Sequence, residues 1–412
     1  MELHIEASSQ IDISRQKLEV VERKGLGHPD TLADGLAEAI SRDFSNYCLQ
    51  NFGYILHHNC DKTSILGGTA IVRFGGGEIT SPITVNVNGR FSTRLGEMEI
   101  PYLEIIRQSS RAYLQTILQN IDPEKDLHIH TRLSTAPSPG FVEIQHPDEA
   151  SRKYWFTPRG IEDLSELKRL HANDTSCGVG YAPLSPLEMF VLKIERELNS
   201  KLYKKEHPYV GTDIKIMGVR YANHIGITAC VPLIAKHVES IDAYLEGLRQ
   251  VQRDIVELSP IGYDTSVSLN TRDNLERPEL YLTVTGSSIE SGDEGVVGRG
   301  NRINGLITPM RLMSIEGVCG KNPVYHVGKL YNVLADMIAH KLHLITGNSY
   351  GVVIVSQSGR DLKDPWVVLV LQDAHDNEPV IDKPIAARCI DEVFDQLDQI
   401  RMDILSQRIA LC

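Results

Sequence analysis

The stretch DIKIMGVRYANHIGITACVPLIAKHVESIDAYLEGLRQVQRDIVEL, Asp213 to Leu258, decides the fold class. Two β-type runs, DIKIMGV and IGITACVPLI, stand close together, and one long helical segment, Ile241 to Leu258, follows them. A strand pair backed by a single helix leaves one sheet face bare. Further β-type runs (YILHH, SILGGTAIVRF, PITVNVNG, LHIHTRL, ELYLTVTG, YGVVIVS and WVVLVLQ) alternate with helices predicted over Tyr102 to Leu118, Val327 to Leu344 and Ile385 to Ile404. Strict strand–helix alternation is missing, so the reading is α+β, with helices on one face of each sheet and a partner needed on the other.

Two helix starts are written out. In TLADGLAEAISRDF, Leu32, Leu36, Ile40 and Phe44 recur every four residues, and the helix begins at Pro29. In SPLEMFVLKIEREL, Ser185 is the N-cap, Pro186 the first helical residue and Glu188 the closing member of a capping box. The polar stretch from His146 to Leu170 reads as a linker or variable loop.

A chain of 412 residues buries enough apolar surface for two or three domains. Its formal charge of −12 lacks the basic face that nucleic-acid binding requires. Seven scattered cysteines without a C-x-x-C pair signal neither a disulfide framework nor a thiolate zinc site. No window approaches the roughly 18 apolar residues of a membrane span, and the N-terminus has no apolar signal core. The expectation is a soluble, cytoplasmic protein.

Several short segments carry chemistry. SGDEGVVGRGNRINGLITPMR, Ser291 to Arg311, sets five glycines between Gly292 and Gly305 among Asp293, Glu294, Arg299, Arg302 and Arg311, as a loop closing on a charged ligand would. It is neither a P-loop nor a dinucleotide fingerprint. In KGLGHPDTLADG, His28 and Asp30 sit at a helix N-terminus, where free N–H groups favour phosphate and an acid suits magnesium; a plain helix start reads equally well. HANDTSCGVGYAPLSP sets Asp174 against Gly178 and Gly180, either as a ligand-binding turn or as an ordinary loop. GKNPVYHVGKLYN offers Lys321 and Lys329 near a helix start. The adjacent His57 and His58 of HHNCDK point to opposite faces of a strand, which argues for structural histidines.

GHPD, the D-x-x-x-x-G-Y-A of NDTSCGVGYA, GDEGVVGRG and GKNP, in this order, resemble the motifs of the S-adenosylmethionine synthetase family. The surrounding wording, such as VERKGLGHPD and VGRGNRINGLITPMR, is similar to its archaeal-type branch from about Val21 to Asn332. The resemblance implies joining of ATP and L-methionine, with the sulfur attacking ribose C5′ and the triphosphate then cleaved to phosphate and diphosphate. It also implies three similar sheet-plus-helix domains about a pseudo-threefold axis, interleaved along the chain. The approximate divisions are 1–24 with 186–288, 25–165 with 289–330, and 166–185 with 331–412. Two subunits would pack sheet to sheet, as a homodimer or dimer of dimers, with active sites between them.

Carried over by motif, His28 resembles the histidine beside the breaking C5′–O bond, Lys215 and Arg299 the triphosphate cations, and Lys321 the lysine of G-K-[DN]-P. Asp30 resembles the magnesium ligand, and Asp174 and Asp293 the acids for methionine ammonium and ribose. Asp61 stands where bacterial-type members carry a potassium-binding glutamate. Mg2+, and K+ through Asp61, are the implied cofactors. Thr31 departs from a bacterial-type lysine, HVGK lacks a second magnesium acid, and TRLSTAPSPGF carries Ser134 to Pro139 where archaeal-type relatives have a Gly-x-Gly-Ser turn. A regulatory paralogue without catalysis and a tripolyphosphatase are the alternatives; the matched cations favour the synthetase.

Overall fold

The structure, a computed structural model, describes residues 1–138, 140, 152–164, 170–374 and 380–412. Pro139 of the proline-bearing turn and residues 146–151 and 165–169 of the linker therefore lie outside the described residues, while 3-10 turns form at Arg152–Tyr154 and Ile161–Asp163.

Twelve strands form the continuous paths of the three main sheets. They are β1 (Glu2–Ala7), β2 (Leu18–Lys24), β3 (Ser64–Leu66), β4 (Ile83–Phe91), β5 (Leu127–Ser134), β6 (Cys177–Ala182), β7 (Lys215–Tyr221), β8 (His224–Cys230), β9 (Asp264–Leu269), β10 (Glu294–Val296), β11 (Tyr350–Val355) and β12 (Val367–Gln372). Eight α-helices occur among the described residues: α1 (Pro29–Phe52), α2 (Tyr102–Ile117), α3 (Pro186–Leu198), α4 (Lys201–Glu206), α5 (Ile241–Glu257), α6 (Val327–Thr346), α7 (Lys383–Asp395) and α8 (Leu397–Leu405). The fold is mixed α+β, as the strand pairs and single helices predict.

The sheets run β1-β12-β11-β6, β5-β4-β3-β10 and β9-β8-β7-β2, with His58–Asn59 also joining the second on β4. Each has the same succession of pairings: one parallel edge, then two antiparallel neighbours. In the second and third, a crossover helix, α2 or α5, brings the chain back to form the parallel edge. In the first, that edge is β1, which registers Glu2 against Val367 from the far end of the chain. The apolar faces converge on two cores. One joins α1 and α6 to the first two sheets through residues such as Leu36, Ile83, Leu330 and Val352; the other joins α3 and α5 to the third through Leu187, Ile216 and Val251.

Local chemistry explains the elements. Ser185 accepts from the Glu188 N–H while the Glu188 side chain accepts from the Ser185 N–H, closing the capping box. Ile385 to Ile404 is two helices divided at Gln396, and the buried stripe Ile390, Phe394, Leu397, Ile400 and Ile404 runs straight through the break, so periodicity does not reveal it. SILGGTAIVRF divides because a Cβ on Gly67 would stand 2.6 Å from the Ile289 carbonyl oxygen and one on Gly68 2.1 Å from that of Ser81. CGVGYA is a strand, not a ligand turn. Its glycines let α6 lie on the sheet, since a Cβ on Gly178 would be 2.1 Å from the Tyr331 carbonyl carbon.

Candidate active site

The turn between β2 and α1 lies against the chain leading into β7. Gly25 and Gly27 donate to the carbonyls of Ile214 and Thr212 at 2.7 and 3.0 Å, and a Cβ on Gly27 would meet Thr212 Oγ1 at 2.3 Å. His28 then caps α1, its Nδ1 accepting the Asp30 N–H at 3.2 Å. That bond leaves Nε2 to carry the ring proton. Burial lowers the imidazole pKa, opposed by Asp213 and reinforced by Lys24 and Lys215, so the ring is neutral near pH 7.

The glycine-rich stretch is fastened to the same helix. A Cβ on Gly295 would stand 2.0 Å from the Pro29 carbonyl oxygen, and one on Gly300 would stand 2.1 Å from Asp34 Oδ2. Asp34 Oδ1 accepts the Gly298 N–H at 2.8 Å. Arg302 donates to the carbonyls of Gly298, Gly300 and Ser314, and Arg311 forks onto Glu188 at 2.8 and 3.1 Å beneath the Tyr181 ring. Both arginines, expected among the ligand charges, therefore hold the loop itself. Arg299 differs: it is exposed, and its guanidinium makes no hydrogen bond or ion pair among the described residues.

His28, Lys215, Ser288 and Asp293 line one open cleft of about 1220 Å³. Lys215 Nζ lies 3.3 Å from Glu22 on the neighbouring strand. Behind the cleft, fully buried Asp213 accepts from Tyr281 Oη at 2.8 Å and the Ser288 N–H at 3.0 Å. Ser288 Oγ lies 2.7 Å from Asp213 Oδ2 and 2.8 Å from Asp293 Oδ2, yet a hydroxyl has one proton. Both contacts are hydrogen bonds only if one acid is protonated. Burial raises the Asp213 pKa, opposed by His28 and by the hydrogen bonds from Ser288 and Tyr281.

Asp61, Lys62, Asp174, Glu316 and His326 line a second cleft of about 1340 Å³ that shares no lining residue with the first. Lys321, nearly fully buried, contacts Glu316 and lies 3.9 Å from Asp61. Burial brings its ammonium down to about 8 against the pull of Asp61. Lys329 pairs with Glu38 of α1 at 2.7 Å, and Glu38 also accepts the Gly320 N–H. Asp174 is exposed, with Oδ1 accepting the Thr175 N–H. His58 is structural: it lies 2.7 Å from Ser41 Oγ, and burial pushes its pKa down to about 3. His57 stacks on Trp155, ring centroids 5.4 Å apart, in a neighbouring cleft.

The sequence-predicted residues thus form two groups, His28, Asp30, Lys215, Asp293 and Arg299 in one and Asp61, Asp174 and Lys321 in the other. Sequence reading missed Lys24, Asp213, Ser288, Glu38 and Glu316. Signals existed for Asp213, an acid two residues before Lys215, and for Lys24, Ser288 and Glu316, each five or six residues from a predicted site residue; Glu38 is recognised only by Lys329 and Gly320, distant in the chain.

The donors suit a hard cation. Asp30 Oδ2 and the Arg299 carbonyl already converge on one, the Lys24 ammonium, each at 2.8 Å. Two such oxygens with water filling the remaining positions is a magnesium-like set, and no closed cage of three or more His, Cys, Asp or Glu side chains forms among the described residues.

Residues 1–408 match the family profile of S-adenosylmethionine synthetase (AdoMet synthetase). The chain is 42% identical over 376 residues to the S-adenosylmethionine synthase of Thermoplasma volcanium, covering 89% of this chain and 88% of that protein. With the S-adenosylmethionine synthase of Saccharolobus solfataricus it shares 39% identity over 419 residues, covering 99% of each chain. An unusual S-adenosylmethionine synthetase from Campylobacter jejuni has a similar fold, with a TM-score of 0.56 at 15% identity over 95% of this chain and 94% of that one.

Proposed function

Because the chain belongs to the S-adenosylmethionine synthetase family, we propose that the two clefts are halves of an active site that makes S-adenosylmethionine, phosphate and diphosphate from ATP, L-methionine and water. The observation that carries this reading is the gathering of His28, Lys215 and Asp293 about one cleft at the N-terminus of α1, on which the loop bearing unpaired Arg299 is fastened.

The methionine sulfur forms a bond to ribose C5′ as the C5′–O bond breaks and its electron pair leaves with the triphosphate. A neutral thioether needs no base, so the barrier falls through alignment and stabilisation of the departing charge. His28 donates from Nε2 near the breaking bond, and Lys215, Arg299 and Lys321 neutralise the polyanion. Asp293, fixed by Ser288, and Asp174 take the ribose and the methionine ammonium. Asp30 holds magnesium, which when bound spreads triphosphate charge; Asp61 is the candidate potassium ligand. Water then divides the retained triphosphate.

Separate half-sites favour a homodimer or dimer of dimers in which one subunit's His28 cleft meets its partner's Lys321 cleft, sheet faces together. The repeated pairing order supports three pseudo-threefold domains, drawn from 1–24 with 186–288, 25–165 with 289–330, and 166–185 with 331–412, the strand β1 crossing over to the last. Unpaired cysteines suit a cytoplasmic setting, and no described helix is long and apolar enough to cross a membrane. Incubation of the pure protein with ATP, magnesium and methionine, followed by mass spectrometry, tests the reading. A sulfonium product is expected; triphosphate cleavage alone would make it a tripolyphosphatase, and no turnover a regulatory paralogue.

A further inference from the structure

Lys24 ends β2 with its side chain only 11% exposed, and none of the roles assigned above uses it. Its Nζ donates to Asp30 Oδ2 and to the Arg299 carbonyl, joining α1 to the loop that carries the unpaired guanidinium. The backbone beneath it is fixed from several sides. Its N–H donates to Asn301 Oδ1 at 3.0 Å, and its carbonyl accepts from Asn301 Nδ2 at 2.7 Å and Thr31 Oγ1 at 3.2 Å. The remaining Asp30 oxygen accepts the Val296 N–H at 3.0 Å, so neither oxygen of that carboxylate is bare. A metal ion seated on Asp30 Oδ2 and the Arg299 carbonyl would have to stand where the ammonium now is, because two cations on one carboxylate oxygen repel at contact distance.

We propose that Lys24 is a tethered cation that occupies the metal seat at Asp30 in the substrate-free site and yields it to an arriving divalent ion. The proposal rests on the reading of Asp30 as a metal ligand. While seated, Lys24 keeps the Arg299 loop closed on α1 without a metal. Once displaced, its flexible four-carbon stem leaves the ammonium beside Lys215 and Arg299, as one more cation for the triphosphate. Lys24 is then both a competitor for the metal and a ligand-facing charge, so its removal has opposite effects on the two kinds of binding.

The test is titration of the full-length protein with Mn2+, read from the electron paramagnetic resonance of the free aqueous ion, without nucleotide. Lys24→Met is expected to bind Mn2+ about tenfold more tightly than the unaltered protein, and Asp30→Asn to lose that site. Equal or weaker binding in Lys24→Met, with the site lost in Asp30→Asn, overturns the proposal and leaves Asp30 as a metal ligand. Unchanged binding in Asp30→Asn overturns both. Should the lysine variant not fold, the unaltered protein gives an independent reading: Mn2+ should raise several-fold the rate at which an amine-selective acylating reagent labels Lys24, followed by peptide mass spectrometry. A rate indifferent to Mn2+ overturns the proposal.

Discussion

Arg299 and Arg311 belong to one glycine-rich stretch yet do different work. Arg299 is exposed and unpaired, so Arg299→Ala should lower turnover by about 10² or more and leave the melting temperature alone. The Arg311 side chain is buried and forked onto Glu188, so Arg311→Ala strands a buried carboxylate and should cost about 3 to 5 kcal/mol in denaturant unfolding. Lys321→Ala should show the same loss of turnover as Arg299→Ala; unchanged turnover in both would remove their assignment. Asp34 gives a pH signature. Burial raises its carboxyl from 3.8 to about 7, so between these values the folded chain holds a proton that the unfolded chain has lost. Its stabilising effect is full below about pH 4 and gone above about pH 7, a fall of at most about 4 kcal/mol; Asp34→Asn should flatten that part of the plot of melting temperature against pH. The residues legible in the sequence were those whose role follows from local chemistry, such as His28 before a helix. Arg302 and Arg311 were not, because nothing near an arginine in the chain says whether its partner will be a phosphate or a carbonyl.

At the scale of elements, the Ser185 box held because every group it needs lies within four residues. Ser185→Ala removes the Glu188 N–H acceptor and a bond to Glu19, and should cost at least about 1 kcal/mol, measurable by denaturant titration. CGVGYA was misread for the opposite reason. Glycine in a loop and glycine under a crossing helix look alike until the helix is known, and here α6 begins about 150 residues later. Gly178→Ala should cost more than an ordinary surface change, by about 1 to 3 kcal/mol or more, because the new methyl meets backbone that cannot rotate away. β1 and β2 were passed over because short runs such as LEVVERK have weak periodicity, and their strand character comes from the neighbours they join.

For the whole molecule, α+β was legible because strand runs and long helices have distinct periods, whereas which strand meets which was not. If each active site takes one cleft from each subunit, light scattering should give at least a dimer, and an active monomer would end that picture. A sharper measurement mixes an inactive Arg299→Ala chain with an inactive Lys321→Ala chain through unfolding and refolding. Random pairing should restore about a quarter of the unaltered activity, because half the dimers then hold one intact site, whereas a site contained within one chain could not be rescued by mixing. The sheet pairings also bear on how the polypeptide is made. β2 meets β7, β3 meets β10, and β1 meets β12, so each of these early segments leaves the ribosome long before its neighbour exists. Synthesis must carry the β2 edge until Tyr221 is made, the β3 edge until Val296 and the β1 edge until Gln372, and for those intervals the nascent chain is exposed to clumping, with chaperones its natural guardians.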